Sequence, residues 1–387
     1  MKIAVPKEVR PGERRVALVP ESCKKLIGKG IEVAVESGAG ERSFFSDDAY
    51  RQVGAEIGSD VGALLSAADL VLKVQPPTEA EVSRLREGAM LLSTLLPSRH
   101  LEVVRRLAER KITTFSTDSI PRITRAQSMD TLSSMASIAG YKAVLMAADV
   151  LPKYFPMFMT AAGTIFSAKV FVIGAGVAGL QAIATAKRLG ATITATDTRR
   201  TVAEQIQSLG GKFVGVESAE DAQTASGYAK ELSQEFYRKQ AELIAQQCAQ
   251  SDVVITTALI GGVKAPRLIT ADMVRKMQPG AVIVDLAAEG GGNCELSKPG
   301  ETVVEHGVTI IAPLDLPSAM PRDASTLFSR NLTTFVLAFW QDQEKRFNLD
   351  LGDDIIKGAM LTHGGEVVHG PTRDALAKGG TVKGEAR

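Results

Sequence analysis

The sequence predicts an α/β protein built from two Rossmann-like doubly wound domains with a cleft between them. Three observations lead there. Strand and helix patterns alternate from the first residue, a G-x-G-x-x-G run follows a β-branched strand near residue 170, and the chain has 387 residues. At roughly 100–200 residues per domain, that length suggests two domains, and the alternation is the mark of a mostly parallel sheet.

The first unit opens with Lys2–Val5 as a short buried strand, then a helix from Pro20 to Lys29 stopped at Gly30 and a strand at Glu32–Glu36. A helix over Asp47–Val53 ends at Gly54, and Leu70–Val74 reads as a strand. Glu79–Arg86, Met90–Leu95, His100–Arg110 and Thr113–Ser116 continue the alternation. Residues 124–150 contain few breakers and read as one long connecting helix, ended by Pro152 and Pro156. The second unit begins with Lys169–Ile173 as strand, followed by a glycine turn, a helix to Leu189, strand Thr192–Thr196, a helix to Leu209 and strand Lys212–Val216. Glu217–Gly227 has no apolar periodicity and reads as an exposed loop longer than such connections need, the usual sign of a lid. Helix 229–249 and strands Val253–Thr256, Ala281–Leu286 and Val308–Ala312 complete that sheet, and Pro317–Trp340 is an apolar helix returning to the first unit. The boundaries are therefore 1–125 plus about 316–387 for a discontinuous N-terminal domain, 126–164 for the connector, and 165–315 for the second domain.

Composition narrows the function classes. The chain is 45% hydrophobic and 23% charged, and 45 Lys+Arg against 44 Asp+Glu leave a net charge of +1. That balance offers no basic footprint for nucleic acid and no acidic tail. Three widely spaced cysteines, Cys23, Cys248 and Cys294, argue against a disulfide scaffold or zinc cluster and for a reducing compartment. The N-terminus lacks an apolar signal core. The most apolar run, Val170–Leu180, is about half the length of a membrane span and holds three glycines. None of the four histidines, His100, His306, His363 and His369, lies three or four residues from another, so surface histidine is the plain reading.

The chemistry-bearing motif is Gly174-Ala175-Gly176-Val177-Ala178-Gly179, directly after Val170–Ile173 and opening a helix. The first glycine makes the tight turn, the second admits a pyrophosphate, and the third lets helix and strand pack closely. The helix N-terminus adds N–H donors and a positive dipole end. Asp197 ends the next strand about 20 residues on, where a carboxylate accepts from an adenosine ribose 2′-OH and repels a 2′-phosphate. The motif thus points to NAD(H). Thr198 and Arg199 adjoin this position; Arg199 and Arg200 are either 2′-phosphate ligands or surface arginines opening the next helix.

On these residues a family resemblance emerges. MKIAVPKEVRPGERRVALVPE, RITRAQSMDTLSS, GAGVAGLQAIATAKRLGA, ASGYAKE and TTALIGGVKAP with VIVDLAAEGGGN resemble the soluble NAD(H)-binding alpha component of proton-translocating nicotinamide nucleotide transhydrogenases. The resemblance covers nearly all the chain to about residue 340. It implies hydride transfer between NADH and NADP⁺ coupled to proton translocation. NADP(H) would sit only on a partner beta subunit, the protons would cross through a membrane-embedded chain, and this component would be a homodimer. The chain would be cytoplasmic, held at the inner face of the membrane by its partners. It also implies site residues. Arg122, Ile123, Thr124, Arg125, Gln127, Asp130 and Ser133 fall at the nicotinamide end, Tyr228 on a mobile closing loop, and Asp197 at the adenosine ribose. Ala175, Gly227, Gln240 and Leu259 are lining positions by the same carry-over.

These residue types suit the reaction. Hydride passing between two nicotinamide rings moves no proton at the reacting carbons, so the task is to hold two C4 atoms within about 3–3.5 Å of each other. Gln127, Asp130 and Ser133, spaced by threes, can share a helical face. The rival family is the alanine dehydrogenases, which resemble the same N-terminal region and need a base near neutral pKa. Their substrate lysine and arginine have counterparts in Lys73 and Arg15, read here as structural residues paired with carboxylates. Their histidine does not survive: LLSTLLPSRH places Leu95 about there, and Glu289 stands about where they carry an aspartate. A binding module without turnover is the third reading.

Overall fold

The computed structural model describes residues 1–216, 233–259 and 264–378. They divide into two compact units, Met1–Met135 with Pro317–Arg387, and Ala136–Leu316. The connector expected over 126–164 is shared between them, 126–135 with the first unit and 136–164 with the second.

The first unit is built on an eight-stranded sheet in the order Glu366–Val367, Met360–His363, Thr113–Ser116, Met90–Ser93, Leu70–Leu72, Lys2–Val5, Glu32–Glu36, Glu56–Gly58. From Thr113–Ser116 to Glu56–Gly58 every pairing is parallel. The central strands are apolar on both faces, as a sheet covered by helices requires: Ile3, Val5, Leu72, Leu91 and Leu92 are buried. The returning helix runs Pro321–Ala338, begun by proline at its first turn. It buries Phe328, Leu332, Phe335 and Val336 at the spacing of one helical face, and Phe335 packs 5.4 Å from Phe115, ring to ring. Phe339 and Trp340 are buried too, so the apolar end of this segment is core. The C-terminal stretch adds two antiparallel strands at one end of the sheet, which the sequence pattern did not reveal.

Residues 124–150 are not one helix. A 3₁₀ turn at Thr124–Met129 stops at Asp130, whose ψ of 92° is extended, and the α-helix runs from Thr131 to Val150. The Asp130 carboxylate accepts the Ser133 backbone N–H at 2.8 Å and its hydroxyl at 2.6 Å. That is an N-cap, and an aspartate that caps the following helix cannot continue the preceding one. Gln127, Asp130 and Ser133 therefore do not share one helical face.

The second unit carries a seven-stranded sheet in the order Lys212–Phe213, Thr192–Thr196, Lys169–Ile173, Val253–Thr256, Val282–Asp285, Val308–Ile311, Thr302–Glu305. All pairings are parallel except the last. Lys169–Ile173 sits between the next strand in the chain and a later one. The direction of winding reverses there, and a crevice opens at the carboxyl ends of such strands. Phe158–Thr160 and Gly163–Ile165 form a separate hairpin, also absent from the sequence reading, whose residues are all exposed. The expected loop at 217–227 and the first residues of the helix expected from 229 lie outside the described residues; that helix runs Gln234–Gln250. No helix among the described residues is long and apolar enough to cross a membrane.

Candidate dinucleotide site

The glycine turn lies at the switch point, and three glycines there answer to three constraints. Gly174 has φ +95°, and a Cβ on it would lie 2.5 Å from the Thr257 hydroxyl. A Cβ on Gly179 would lie 1.9 Å from the Gly174 carbonyl oxygen, so strand and helix can approach only without one. Gly176 is different, because a Cβ there meets nothing within 4 Å. The space beside its backbone is open to a ligand. Gly176 caps the Val177–Arg188 helix without any side-chain hydrogen bond, which leaves the N-terminal N–H groups for an anion. Val177, the first helical residue, is exposed.

Asp197 follows the adjacent strand, its side chain 7% exposed. Oδ2 accepts the Ala175 N–H at 2.8 Å, closing the glycine turn onto the neighbouring strand. Arg199 grips the same carboxylate through its backbone N–H at 2.8 Å, Nε at 3.0 Å and one terminal nitrogen at 2.9 Å. Arg199 is thus not a solvated helix opener. Its guanidinium is held on Asp197 and its pKa is raised by that hydrogen bond. Asp197, Thr198, Arg200, Phe213 and Phe236 line a small pocket at this strand end. The donor set, the open backbone and a paired carboxylate at the strand end fit the adenosine, ribose and pyrophosphate of a dinucleotide. Gln240 is buried on the Gln234–Gln250 helix, and Leu259 is exposed just beyond the central strand Val253–Thr256. Gly227 and Tyr228 lie outside the described residues.

The remaining expected site residues belong to the first unit. Arg122, Ile123, Thr124, Arg125 and Gln127 are exposed, and Arg125 pairs with Asp353 at 2.7 Å. Asp130 and Ser133 are brought together by the cap described above. The same unit holds a buried ionic network. Arg15 holds Glu13 through Nε at 2.8 Å and a terminal nitrogen at 2.6 Å. Burial is the largest single influence on Glu13 and opposes its ionisation, but the hydrogen bonds and charge of Arg15, joined by hydrogen bonds from Gln75 and Ser318, together outweigh it and hold the carboxyl at about 2. Lys73 sits between Glu81 at 2.8 Å and Glu8 at 3.2 Å, all three buried. Burial works against the ammonium, and the two carboxylates more than offset it, raising its pKa. Arg15 and Lys73 are paired with carboxylates as their reading anticipates, and Leu95 is fully buried.

One reading needs correction. His100, His363 and His369 are half-buried rather than solvated, with His363 and His369 hydrogen-bonded to Thr113 and Thr372; only His306 is exposed. Sequence reasoning also missed Asp285 and Asn293, both fully buried at the carboxyl end of the second sheet. A buried acid ending an apolar strand (Val282–Asp285) was the available signal.

Residues 4–139 match the family model described as "Alanine dehydrogenase/PNT, N-terminal domain", and residues 143–370 match the corresponding C-terminal domain. The chain belongs to the alanine dehydrogenase/PNT family. Both kinds of protein in the family's description are among its relatives. An NAD(P) transhydrogenase subunit alpha chain of Rhodospirillum rubrum is 51% identical over 95% of this chain and 98% of its own. The alanine dehydrogenase 2 of Staphylococcus aureus is 32% identical over 86% and 85%. Among solved structures, the transhydrogenase from Sinorhizobium meliloti superposes with a TM-score of 0.87 at 44% identity, covering 95% of this chain and 100% of that one.

Proposed function

We propose that this chain is the NAD(H)-binding subunit of a proton-translocating transhydrogenase. It passes hydride between NADH and NADP⁺ bound on a partner beta subunit, and protons cross through a membrane-embedded partner. The observation that carries this reading is the 51% identity to the Rhodospirillum rubrum transhydrogenase alpha chain along nearly the whole of both proteins. The glycine turn and the Asp197 pocket support NAD(H) as the nucleotide.

In this reading the Gly174, Ala175, Gly176, Val177 and Gly179 backbone and the following helix N-terminus take the pyrophosphate. Asp197, Thr198 and Arg199 take the adenosine ribose, with Gln240 and Leu259 as lining. Arg122, Ile123, Thr124, Arg125, Gln127, Asp130 and Ser133 fix the nicotinamide end, and Gly227 and Tyr228 complete the set. The bound nucleotide brings the transferable hydride; the chain's residues bind, orient and exclude water. No general base is needed, which agrees with the buried Leu95 where the alanine dehydrogenase resemblance leads one to look for a histidine. The chain pairs with a second copy. Its exposed hairpin supports this: Met159 is 80% and Phe166 73% exposed beside Tyr154, Met157, Phe158 and Ile165, and a two-stranded ribbon alone in water is marginal. Peripheral attachment at the inner face of the cytoplasmic membrane then falls to the partner subunits.

Two assays on the purified chain test the reading. One follows NAD⁺ reduction with L-alanine. The other adds a heterologous NADP(H)-binding transhydrogenase domain and follows reduction of an NAD⁺ analogue by NADH. Cyclic transfer only with the added domain, and silence with alanine, is the expected result. Turnover with alanine alone overturns it in favour of an amino-acid dehydrogenase.

A further inference from the structure

Asn293 uses its whole side-chain amide on two neighbours. Oδ1 accepts the Ala258 N–H at 3.1 Å, while Nδ2 donates to the Ala258 carbonyl at 2.9 Å and the Pro266 carbonyl at 2.8 Å. Pairing with both the N–H and C=O of one residue fixes that residue's orientation as a strand partner would. The Asn293 carbonyl in turn accepts from Leu268 and Ile269 at 2.8 and 3.0 Å. Asp285 anchors this clamp from below. Its fully buried carboxylate accepts from the Thr256 hydroxyl, the Ala287 and Cys294 N–H groups and the Ser297 hydroxyl, at 2.6–3.0 Å. On the other side, Ala258 is bonded to Thr257, whose hydroxyl donates to the carbonyls of Ile173 at 3.3 Å and Gly174 at 3.1 Å.

We infer that Asn293 is a positioning residue for the glycine turn. By clamping Ala258 it holds the Thr257 hydroxyl on the Gly174 carbonyl, and so sets the geometry of the backbone beside Gly176 where the pyrophosphate would lie. The inference rests on the NAD(H)-binding reading and assigns the clamp no direct contact with the nucleotide. Asn293→Ala leaves the Ala258 and Pro266 carbonyls and the Ala258 N–H without their partner. Asn293→Asp keeps shape and the Ala258 N–H bond but sets carboxylate oxygens against both carbonyls. Thr257→Val removes the last link with little change in volume.

The experiment titrates each full-length variant with NADH, ADP-ribose and AMP, with a thermal melt as the check on folding. NADH and ADP-ribose dissociation constants rise about tenfold in all three variants, whereas AMP, which has no pyrophosphate, stays within about twofold. Asn293→Ala combined with Thr257→Val is no worse than the weaker-binding single variant, because both act through one path. Should Asn293→Ala not fold, Asn293→Asp and Thr257→Val carry the same comparison. Unchanged NADH affinity, an equal loss for AMP, or additive losses each overturn the positioning role. A wild-type chain that binds neither NADH nor ADP-ribose overturns the underlying nucleotide reading instead.

Discussion

Asp197 stands where two requirements meet, since the carboxylate proposed to take a ribose also closes the glycine turn through Ala175 and holds Arg199. Asp197→Ala removes all of these at once. The Ala175 N–H loses its acceptor and the Arg199 guanidinium is released into the pocket, where it can meet a 2′-phosphate. The NADH dissociation constant is expected to rise about tenfold to a hundredfold, as loss of charged hydrogen bonds at roughly 1.5–3 kcal/mol implies, and the preference over NADPH to narrow. Parallel fluorescence titrations with the two nucleotides check this, and an intact preference moves its origin to Arg200 or another group. Asp197 was legible in the sequence because strand, glycine turn and acid fall at fixed spacing. The grip of Arg199 was not, since an arginine two residues beyond a strand end looks like any helix opener. Asn293 was still less visible: its importance lies in pairing with Ala258, 35 residues away, and no local pattern encodes that.

Elements were readable where one period dominates. Lys169–Ile173, Val253–Thr256 and Val282–Asp285 are buried nearly throughout, and such strands of a parallel sheet show as plain apolar runs. The edge strands at Thr302–Glu305 and Glu366–Val367 are short and largely exposed, so no apolar run announces them. The stretch 124–150 misled for another reason: it lacks glycine and proline until Gly140, and one aspartate decides the break. If Asp130 caps the Thr131–Val150 helix, Asp130→Ala lowers stability by about 1 kcal/mol, whereas Asp130→Asn, which retains an acceptor for the Ser133 N–H, recovers most of it. Chemical denaturation of the three proteins measures this. Equal stability for the alanine and asparagine variants removes the capping role.

The first unit is made of two chain segments that meet only in the folded protein, and polar side chains join them. Ser318 donates to Glu13 at 2.7 Å, while Ser325 and Ser329 accept the Val16 and Val19 N–H groups at 3.0 Å each. Glu13 therefore links residues 305 positions apart, and its acceptor strength depends on ionisation. Its folded pKa of about 2 lies below the ordinary 4.5, so it favours folding above about pH 4.5 and that contribution disappears as the pH falls towards 2. A depression of this size corresponds to on the order of 3 kcal/mol. Glu8 behaves oppositely: burial, only partly offset by Lys73, raises its pKa, so it adds nothing to that acid-side loss. Acidification of the whole chain should accordingly unfold the first unit over pH 4.5–2, followed by the near-ultraviolet signal of Trp340, which is buried in that unit. Glu13→Gln should be less stable at neutral pH and show a visibly flatter dependence across the window. The same steep acid dependence in Glu13→Gln as in the wild type would place the responsible carboxylate elsewhere.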